Sequence, residues 1–379
     1  MVAIGFMAAA ILPLAYYAFA IAAARRFGRR LPPRPHRTAP RVSILKPVRG
    51  PDPDAYERYA SFCRQEYPNY EVLFGVADPE DPAIPAIRRV MADHAEIPIR
   101  LICPIPDAGA NAKMSIVRRL AAEARNDLFV IADSDVSAPP CLLARVADAF
   151  TGPRVGLVTC LYRGDPALPT RAADLEALAI ATEFIPGVLV AERVEGIRFA
   201  LGAVMAVPRA RVQAIGGFEA LLDCGADDFE LGRRIAAAGY GVRLAHIIVS
   251  TACAPETIAA LLRHALRWTV TQRQSRPAAW MMKSAVTQGL PWCVAAAIAA
   301  PSGLVAALYL GAYAVLRLGV AWTVGVGILS DATVRRRWWW LPVLDAILFG
   351  VSIAALVTRR IEWRGRMFVL ERGRLVPRG

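Results

Sequence analysis

Three acidic groups stand where chemistry is expected. Asp133-Ser134-Asp135 closes an apolar run, Asp127-Leu128-Phe129-Val130-Ile131-Ala132. In a strand, positions i and i+2 face the same side. Two carboxylates placed so repel unless a cation lies between them, and a divalent metal carried by a diphosphate would satisfy both. A solvated loop after a strand uses the same residue types. Asp227-Asp228-Phe229-Glu230 follows Gly225 and opens a predicted helix. Acids there are favoured by the helix dipole and by capping. A carboxylate crowded by others also has a raised pKa and can accept a proton from a hydroxyl. Asp78 and Asp81 stand in Ala77-Asp78-Pro79-Glu80-Asp81-Pro82, which also reads as a proline-framed turn.

Basic and aromatic groups complement the acids. Asn111-Ala112-Lys113 follows Gly109 and opens a helix, and a helix N-terminus and a lysine both suit phosphate. The spacings GxxxxGK[ST], GxGxxG and GxSxG are all absent, which argues against a P-loop enzyme, a dinucleotide enzyme and a serine hydrolase. In His264-Ala265-Leu266-Arg267-Trp268 the arginine suits a departing diphosphate, and the tryptophan suits a sugar face or the lipid headgroup level. The same residues also make an ordinary basic amphipathic helix. Seven scattered cysteines without a CxxC pair, and four isolated histidines, point to reduced thiols rather than a zinc site or disulfide framework.

Alternating strands and helices position these groups. Strands are predicted at Val42–Pro47, Tyr70–Val76, Ile99–Ile102, Asp127–Ala132, Val155–Cys160 and Phe199–Val207, the first stopped by Pro47. Helices are predicted at Tyr56–Gln65, Ala83–His94, Ala112–Ala124 and Phe229–Gly239. This alternation predicts an α/β domain with a mostly parallel sheet covered on both faces. Ligands of such sheets bind beyond the carboxyl ends of the strands, where the acids fall.

The ends of the chain differ from the middle. Of the 379 residues, 56% are hydrophobic, and the excess sits at the two ends, which excludes a disordered chain and a simple soluble domain. Met1 to Ala24 carries no charge and is long enough to cross a hydrocarbon core, with arginines following it rather than preceding it. It reads as an uncleaved anchor with its N-terminus outside. Residues 25–41 form a basic, Pro-rich linker and 42–250 the catalytic domain. Residues 251–284 form interfacial amphipathic helices, including Thr257–Arg273. Residues 285–358 form a membrane region, in which Ala285–Ser330 has room for two crossings and Leu341–Thr358 for another; 359–379 is a basic tail. The net charge of +13 is nearly all arginine, since Lys46, Lys113 and Lys283 are the only lysines. Arg25, Arg26, Arg29, Arg30, Arg34, Arg37 and Arg41 flank the first apolar run, and Arg335–Arg337 lie between two others. Such charge reads as cytoplasmic and membrane-flanking. Arg335–Arg337 and the basic tail flank one segment and both read as cytoplasmic, so one end lies outside against its charge or the segment re-enters. No basic stripe interleaves with aromatics, so a nucleic-acid partner is not expected.

The order of motifs resembles the family 21 glycosyltransferases, the ceramide glucosyltransferase family. The resemblance runs through Leu45-Lys46-Pro47-Val48-Arg49-Gly50, Gln65-Glu66-Tyr67-Pro68, Asn111-Ala112-Lys113-Met114-Ser115 and Asp133-Ser134-Asp135. It continues through Gly156 to Gly164, Ala214-Ile215-Gly216-Gly217-Phe218, Asp227-Asp228-Phe229 and Arg267-Trp268. It implies a GT-A catalytic domain between N- and C-terminal transmembrane helices, in a multi-pass inner-membrane protein whose catalytic domain faces the cytoplasm. By this resemblance Asp78, Lys113 and Asp133 bind the nucleotide-sugar, Asp135 holds a divalent metal (Mg or Mn), and Asp228 is the catalytic base. Arg267, Trp268, Asp227 and His264 belong to the leaving-group and acceptor side. His264 departs from the family's Gln or Arg at that position.

The implied reaction moves a sugar from UDP-glucose or UDP-GlcNAc to a lipid hydroxyl with inversion, the acceptor being ceramide or, as in similar bacterial enzymes, a hopanoid. A processive polysaccharide synthase would normally need more membrane helices. A reading from another class, a non-catalytic membrane protein or transporter, would use Arg317 and Asp345 as charges along a path.

Overall fold

The structure is a computed structural model and describes residues 2–30, 39–363, 366–371 and 373–377. Residues 31–38 of the expected linker, with Arg34 and Arg37, lie outside the described residues. The chain forms two compact units. One comprises Met1–Arg30, Arg163–Gly196 and Cys253–Arg372; the other comprises Leu31–Tyr162, Ile197–Ala252 and Gly373–Gly379.

The second unit is built on a sheet of β1 (Val42–Val48), β2 (Tyr70–Val76), β3 (Ile99–Ile102), β4 (Leu128–Ala132), β5 (Val136–Ser137), β6 (Val155–Pro166), β7 (Val204–Pro208) and β8 (Gly241–Cys253), in the order β3-β2-β1-β4-β7-β6-β8-β5. Every residue of β1, β2 and β4 is buried, as near-continuous apolar runs predict for strands covered on both faces. The sheet is less parallel than the alternation suggests. β3, β2, β1 and β4 run parallel, but β7 is antiparallel to β4, β6 to β7, and β5 to β8. The parallel neighbours are linked through helices, whereas antiparallel pairing needs no crossover.

Two expected strand boundaries move. β1 continues through Pro47, because its ladder to β4 has already ended at Leu45 and only β2 accompanies it further. Of the strand expected at Phe199–Val207, only Val204 onward is extended. Phe199 to Ala203 instead forms a connection that packs on the helix Asp227–Ala237. A Cβ on Gly232 of that helix would stand 2.4 Å from the Phe199 backbone. Glycine is required there for the two backbones to approach.

Among the described residues of the other unit, three helices are long and apolar enough to cross a membrane: Val2–Gly28, Gly303–Ile328 and Ala332–Val357. They are the N- and C-terminal membrane-spanning helices of the fold. Ala285–Ser330 thus contains one helix of spanning length where its size allowed two. Gly289–Ile298 is apolar but, at about 1.5 Å per residue, covers only half a hydrocarbon core. Arg317 and Asp345 are both buried and bonded to each other, Nη2 to Oδ1 at 2.6 Å. Tyr313 donates to Asp345 Oδ2 at 2.7 Å, and Arg317 Nη1 donates to the Thr182 carbonyl at 2.8 Å. Thr182 lies in a helical stretch, Arg171 to Val194, where no element is predicted from the sequence. The basic tail is not featureless: β9 (Arg360–Trp363) and β10 (Arg366–Glu371) pair antiparallel, and β11 (Arg374–Pro377) follows.

Candidate active site

Asp133 and Asp135 lie on the turn between β4 and β5 rather than on a strand, so the alternation of a strand does not govern where they point. Each carboxylate has its own partner. Asp133 Oδ1 is 2.7 Å from Lys113 Nζ. Asp135 Oδ2 accepts from the Thr251 hydroxyl at 3.0 Å, with Thr251 fixed opposite Val136 in the β5–β8 ladder. Burial pushes the Asp135 carboxyl up to about 6, aided by the charges of Asp133 and Asp52 and opposed by the Thr251 hydrogen bond and Lys46.

Lys113 occupies the first turn of the helix Ala112–Glu123, whose N-cap Asn111 accepts from Met114 N at 3.1 Å. Its ammonium also reaches Asp227 Oδ2 at 2.9 Å, while Asn111 Nδ2 donates to the Cys224 carbonyl at 2.8 Å. Burial alone would lower the Lys113 pKa. The carboxylates of Asp133 and Asp227 outweigh it and hold the ammonium well above its usual range. Lys113 therefore stays charged and joins the two acidic segments.

Asp228 opens the helix Asp227–Ala237 instead of following a strand. Its Oδ1 accepts from Phe229 N at 2.7 Å and its Oδ2 from Gly202 N at 3.0 Å. A Cβ on Gly202 would stand 3.2 Å from Asp133 Oδ2 and 3.3 Å from Asp228 Oδ2, so the two carboxylates face one small space that a side chain would fill. Burial and the neighbouring Asp227 raise the Asp228 carboxyl to about 6, against the pull of Lys113 and the Phe229 amide. A carboxylate tuned this way is a stronger proton acceptor than an ordinary one.

Asp78 follows β2 by two residues and accepts from Glu80 N of its own turn at 2.9 Å. Among the described residues no hydrogen bond or ion pair joins it to the other acids. β1 lies between β2 and β4, so the strand ends carrying Asp78 and Asp133 are about 10 Å apart on the same edge of the sheet. Asp81 is engaged by backbone amides, accepting from Gly50 N at 2.9 Å and Ala83 N at 2.9 Å.

His264, Arg267 and Trp268 lie on the helix Ile258–Ser275, in the unit that carries the membrane helices. His264 Nδ1 pairs with Glu176, and its ring meets Trp268 edge-on with centroids 5.1 Å apart. Phe184 lies 5.8 Å from the Trp268 ring.

Lys46 is a site residue that motif reading did not single out. It is fully buried, and its Nζ donates to the Asp133 carbonyl at 2.6 Å and the Val136 carbonyl at 3.3 Å, 4.1 Å from the Phe62 ring centre. Burial pushes its ammonium down to about 7 despite Asp135 and Asp133. The signal was present: in a chain with three lysines, two support this acidic turn.

Among the described residues no group of three His, Cys, Asp or Glu side chains closes a metal site. The donor set still suits a hard divalent cation. Asp135 is crowded by Asp133 and Asp52, and the turn presents carboxylate oxygens to an ion whose remaining ligands would come from phosphate and water.

A glycosyl transferase family 21 model matches residues 5–376, and the chain belongs to that family. A ceramide glucosyltransferase of Gibberella zeae is 31% identical over 141 residues, covering 35% of this chain and 27% of that one. Ceramide glucosyltransferase 1 of Caenorhabditis elegans is 31% identical over 106 residues, covering 28% and 23%. The chain thus aligns with about a quarter of the length of these relatives. In fold it is similar to a solved mannosyltransferase from Pyrobaculum calidifontis in complex with GDP-Man and Mn2+, with a TM-score of 0.56 and 19% identity over 93% of this chain and 99% of that one. The architecture is GT-A-like, a mixed sheet flanked by helices.

Proposed function

We propose that the protein transfers a sugar from a UDP-sugar to a lipid hydroxyl with inversion at the anomeric carbon. Ceramide is the first acceptor to consider, with UDP-glucose or UDP-GlcNAc as donor. The observation that carries this reading is the pairing of Asp228 with Asp133 across Gly202. A carboxylate raised to about 6 stands there beside an acidic turn suited to a cation and a diphosphate.

In this reading Asp228 accepts the proton of the acceptor hydroxyl as its oxygen attacks the anomeric carbon. The bond to the diphosphate breaks on the opposite face, and the electron pair leaves with UDP. Asp133 and Asp135 orient the donor, Asp78 contacts the nucleotide, and Lys113 holds Asp133 and Asp227 in register. Arg267 offsets charge on the leaving diphosphate, while Trp268, with His264 behind it, supports the acceptor side. Mg2+ or Mn2+ at Asp135 would supply Lewis-acid stabilisation of the leaving group. The membrane helices explain how an insoluble acceptor meets a soluble donor. The exposed Arg25 and Arg26 in the last turn of the first helix support a catalytic unit on the cytoplasmic side of an inner membrane. The transporter reading is weakened because its two charges, Arg317 and Asp345, bond each other.

The test is transfer of radiolabel by purified protein in lipid nanodiscs, offered UDP-glucose or UDP-GlcNAc with ceramide or a hopanoid polyol. An inverted glycolipid that disappears with EDTA and returns with Mn2+ is the expected product. Label retained by a lipid with unchanged anomeric configuration, or transfer undiminished in chelator, would overturn the inversion or the metal role respectively.

A further inference from the structure

The helix that presents Asp227 and Asp228 does not fix its own start. Its N-cap is Ala226, whose methyl cannot cap the free amides, and only the Phe229 amide is bonded from within, by Asp228 Oδ1. The preceding loop, Leu222 to Ala226, is held instead from two sides. On one side Asn111 N donates to the Leu222 carbonyl at 2.7 Å, and Ala110 N donates to Asp223 Oδ1 at 3.0 Å. On the other side lies the start of β11 and the residue before it. Leu375 N donates to the Asp223 carbonyl at 2.8 Å, Gly225 N donates to the Gly373 carbonyl at 3.0 Å, and Cys224 forms an antiparallel bridge with Arg374. Three successive loop residues are thus paired with three successive residues from the far end of the chain. Leu375 is 3% exposed and Cys224 8%, so their side chains are packed beneath the pairing, while Asp223 and Arg374 face outward.

The chain re-enters this unit at Gly373, after the long excursion through the unit of membrane helices. Backbone pairing of this kind constrains a loop without needing particular side chains. We propose that Gly373 to Leu375 form a positioning element for the base, setting through the Leu222–Ala226 loop where Asp227 and Asp228 stand. The inference rests on the proposed transfer reaction for its effect on turnover, but not for its structural part. The segment touches no reacting group; it acts through the loop, and its loss should reach turnover before donor binding, since Asp133 and Asp135 lie on a different connection that meets the loop's helix through Lys113.

Two variants test it in the full-length membrane protein: a chain ending at Arg372, and Leu375→Pro, which removes the amide that bonds Asp223. Hydrogen exchange at residues 223–229 should rise about tenfold or more in both, with the helix Ala112–Glu123 unchanged. The turnover number should fall about tenfold or more while the UDP-sugar dissociation constant stays within about threefold. A peptide of residues 373–379 added to the truncated chain should restore part of both. Unchanged exchange at 223–229 overturns the proposal. So does joint loss of melting temperature, donor affinity and turnover, which marks a plain structural brace. If the wild-type protein glycosylates no lipid, the transfer reaction fails, while the exchange arm still decides whether the segment holds the loop.

Discussion

Asp133 and Asp227, on connections far apart in the chain, are joined through one ammonium: Lys113 Nζ lies 2.7 Å from the first and 2.9 Å from the second. Two carboxylates so placed, Asp227 buried and Asp133 half-buried, would repel without it. The lysine spans the acidic turn and the helix that carries the proposed base, so both are set by one side chain anchored in a capped helix. It thereby serves as an internal counter-ion, whatever further contact it makes with a phosphate.

Lys113→Met leaves Asp133 and Asp227 facing each other without that charge. Transfer should fall about a hundredfold or more, in line with breaking a buried charge pair. Lys113 also pulls the Asp228 pKa down, so its removal should move the acid limb of the pH–rate profile upward by about one unit. Kinetics between pH 4 and 8 on the variant and the wild type measure both effects. An acid limb that does not move would show that Lys113 does not act on Asp228.

Asp228→Asn keeps the size of the side chain and removes its basicity. Transfer should drop by about two to four orders of magnitude, with donor affinity retained, as read by calorimetry. In the wild type the Asp228 carboxyl is raised to about 6. In the proposed role as base the charged form is the active one, so activity should be full above that value. It should fall about tenfold for each pH unit below it.

The outline of the fold was legible because β1, β2 and β4 are mostly apolar runs, broken only by Ser43, Lys46 and Glu71. Such runs predict strands buried on both faces, and the helices between them carry clear periodicity. The antiparallel half was less legible. Phe199 to Ala203 is as apolar as a strand, yet its backbone turns to meet Gly232 and Asp228, an approach decided by tertiary packing. The acids themselves were found by type and spacing, but their connections were not. Nothing local says that Lys113 reaches Asp227, that Lys46 lies under the Asp133 turn, or that Gly373 to Leu375 pair with the loop before Asp227. Those contacts join residues distant in sequence, where periodicity carries no information.

Gly202 is where a single methyl group should tell most. Its amide holds Asp228, and an added Cβ would press on Asp133 Oδ2 and Asp228 Oδ2 together. Gly202→Ala should therefore lower turnover about ten- to a hundredfold, because displacing the reacting geometry by a fraction of an ångström is enough. The melting temperature should barely change, since the crowding is against carboxylate oxygens rather than packed backbone. Parallel measurement of turnover and thermal unfolding separates these outcomes.

Arg317 and Asp345 give a test that does not depend on the reaction. They are buried in the membrane unit and bonded at 2.6 Å, with Tyr313 and Thr182 completing the set. Removing one partner leaves an uncompensated charge, so Arg317→Leu or Asp345→Leu alone should cost about 3–5 kcal/mol. The double variant should recover most of that loss, because the mutual need for charge disappears with both. Thermal unfolding in detergent of the two single variants and the double variant measures the coupling. If the charges instead served a transport path, the double variant would regain stability but lose a proton or ion flux in reconstituted vesicles. If the pair is structural, stability returns and no flux is lost, because none was carried.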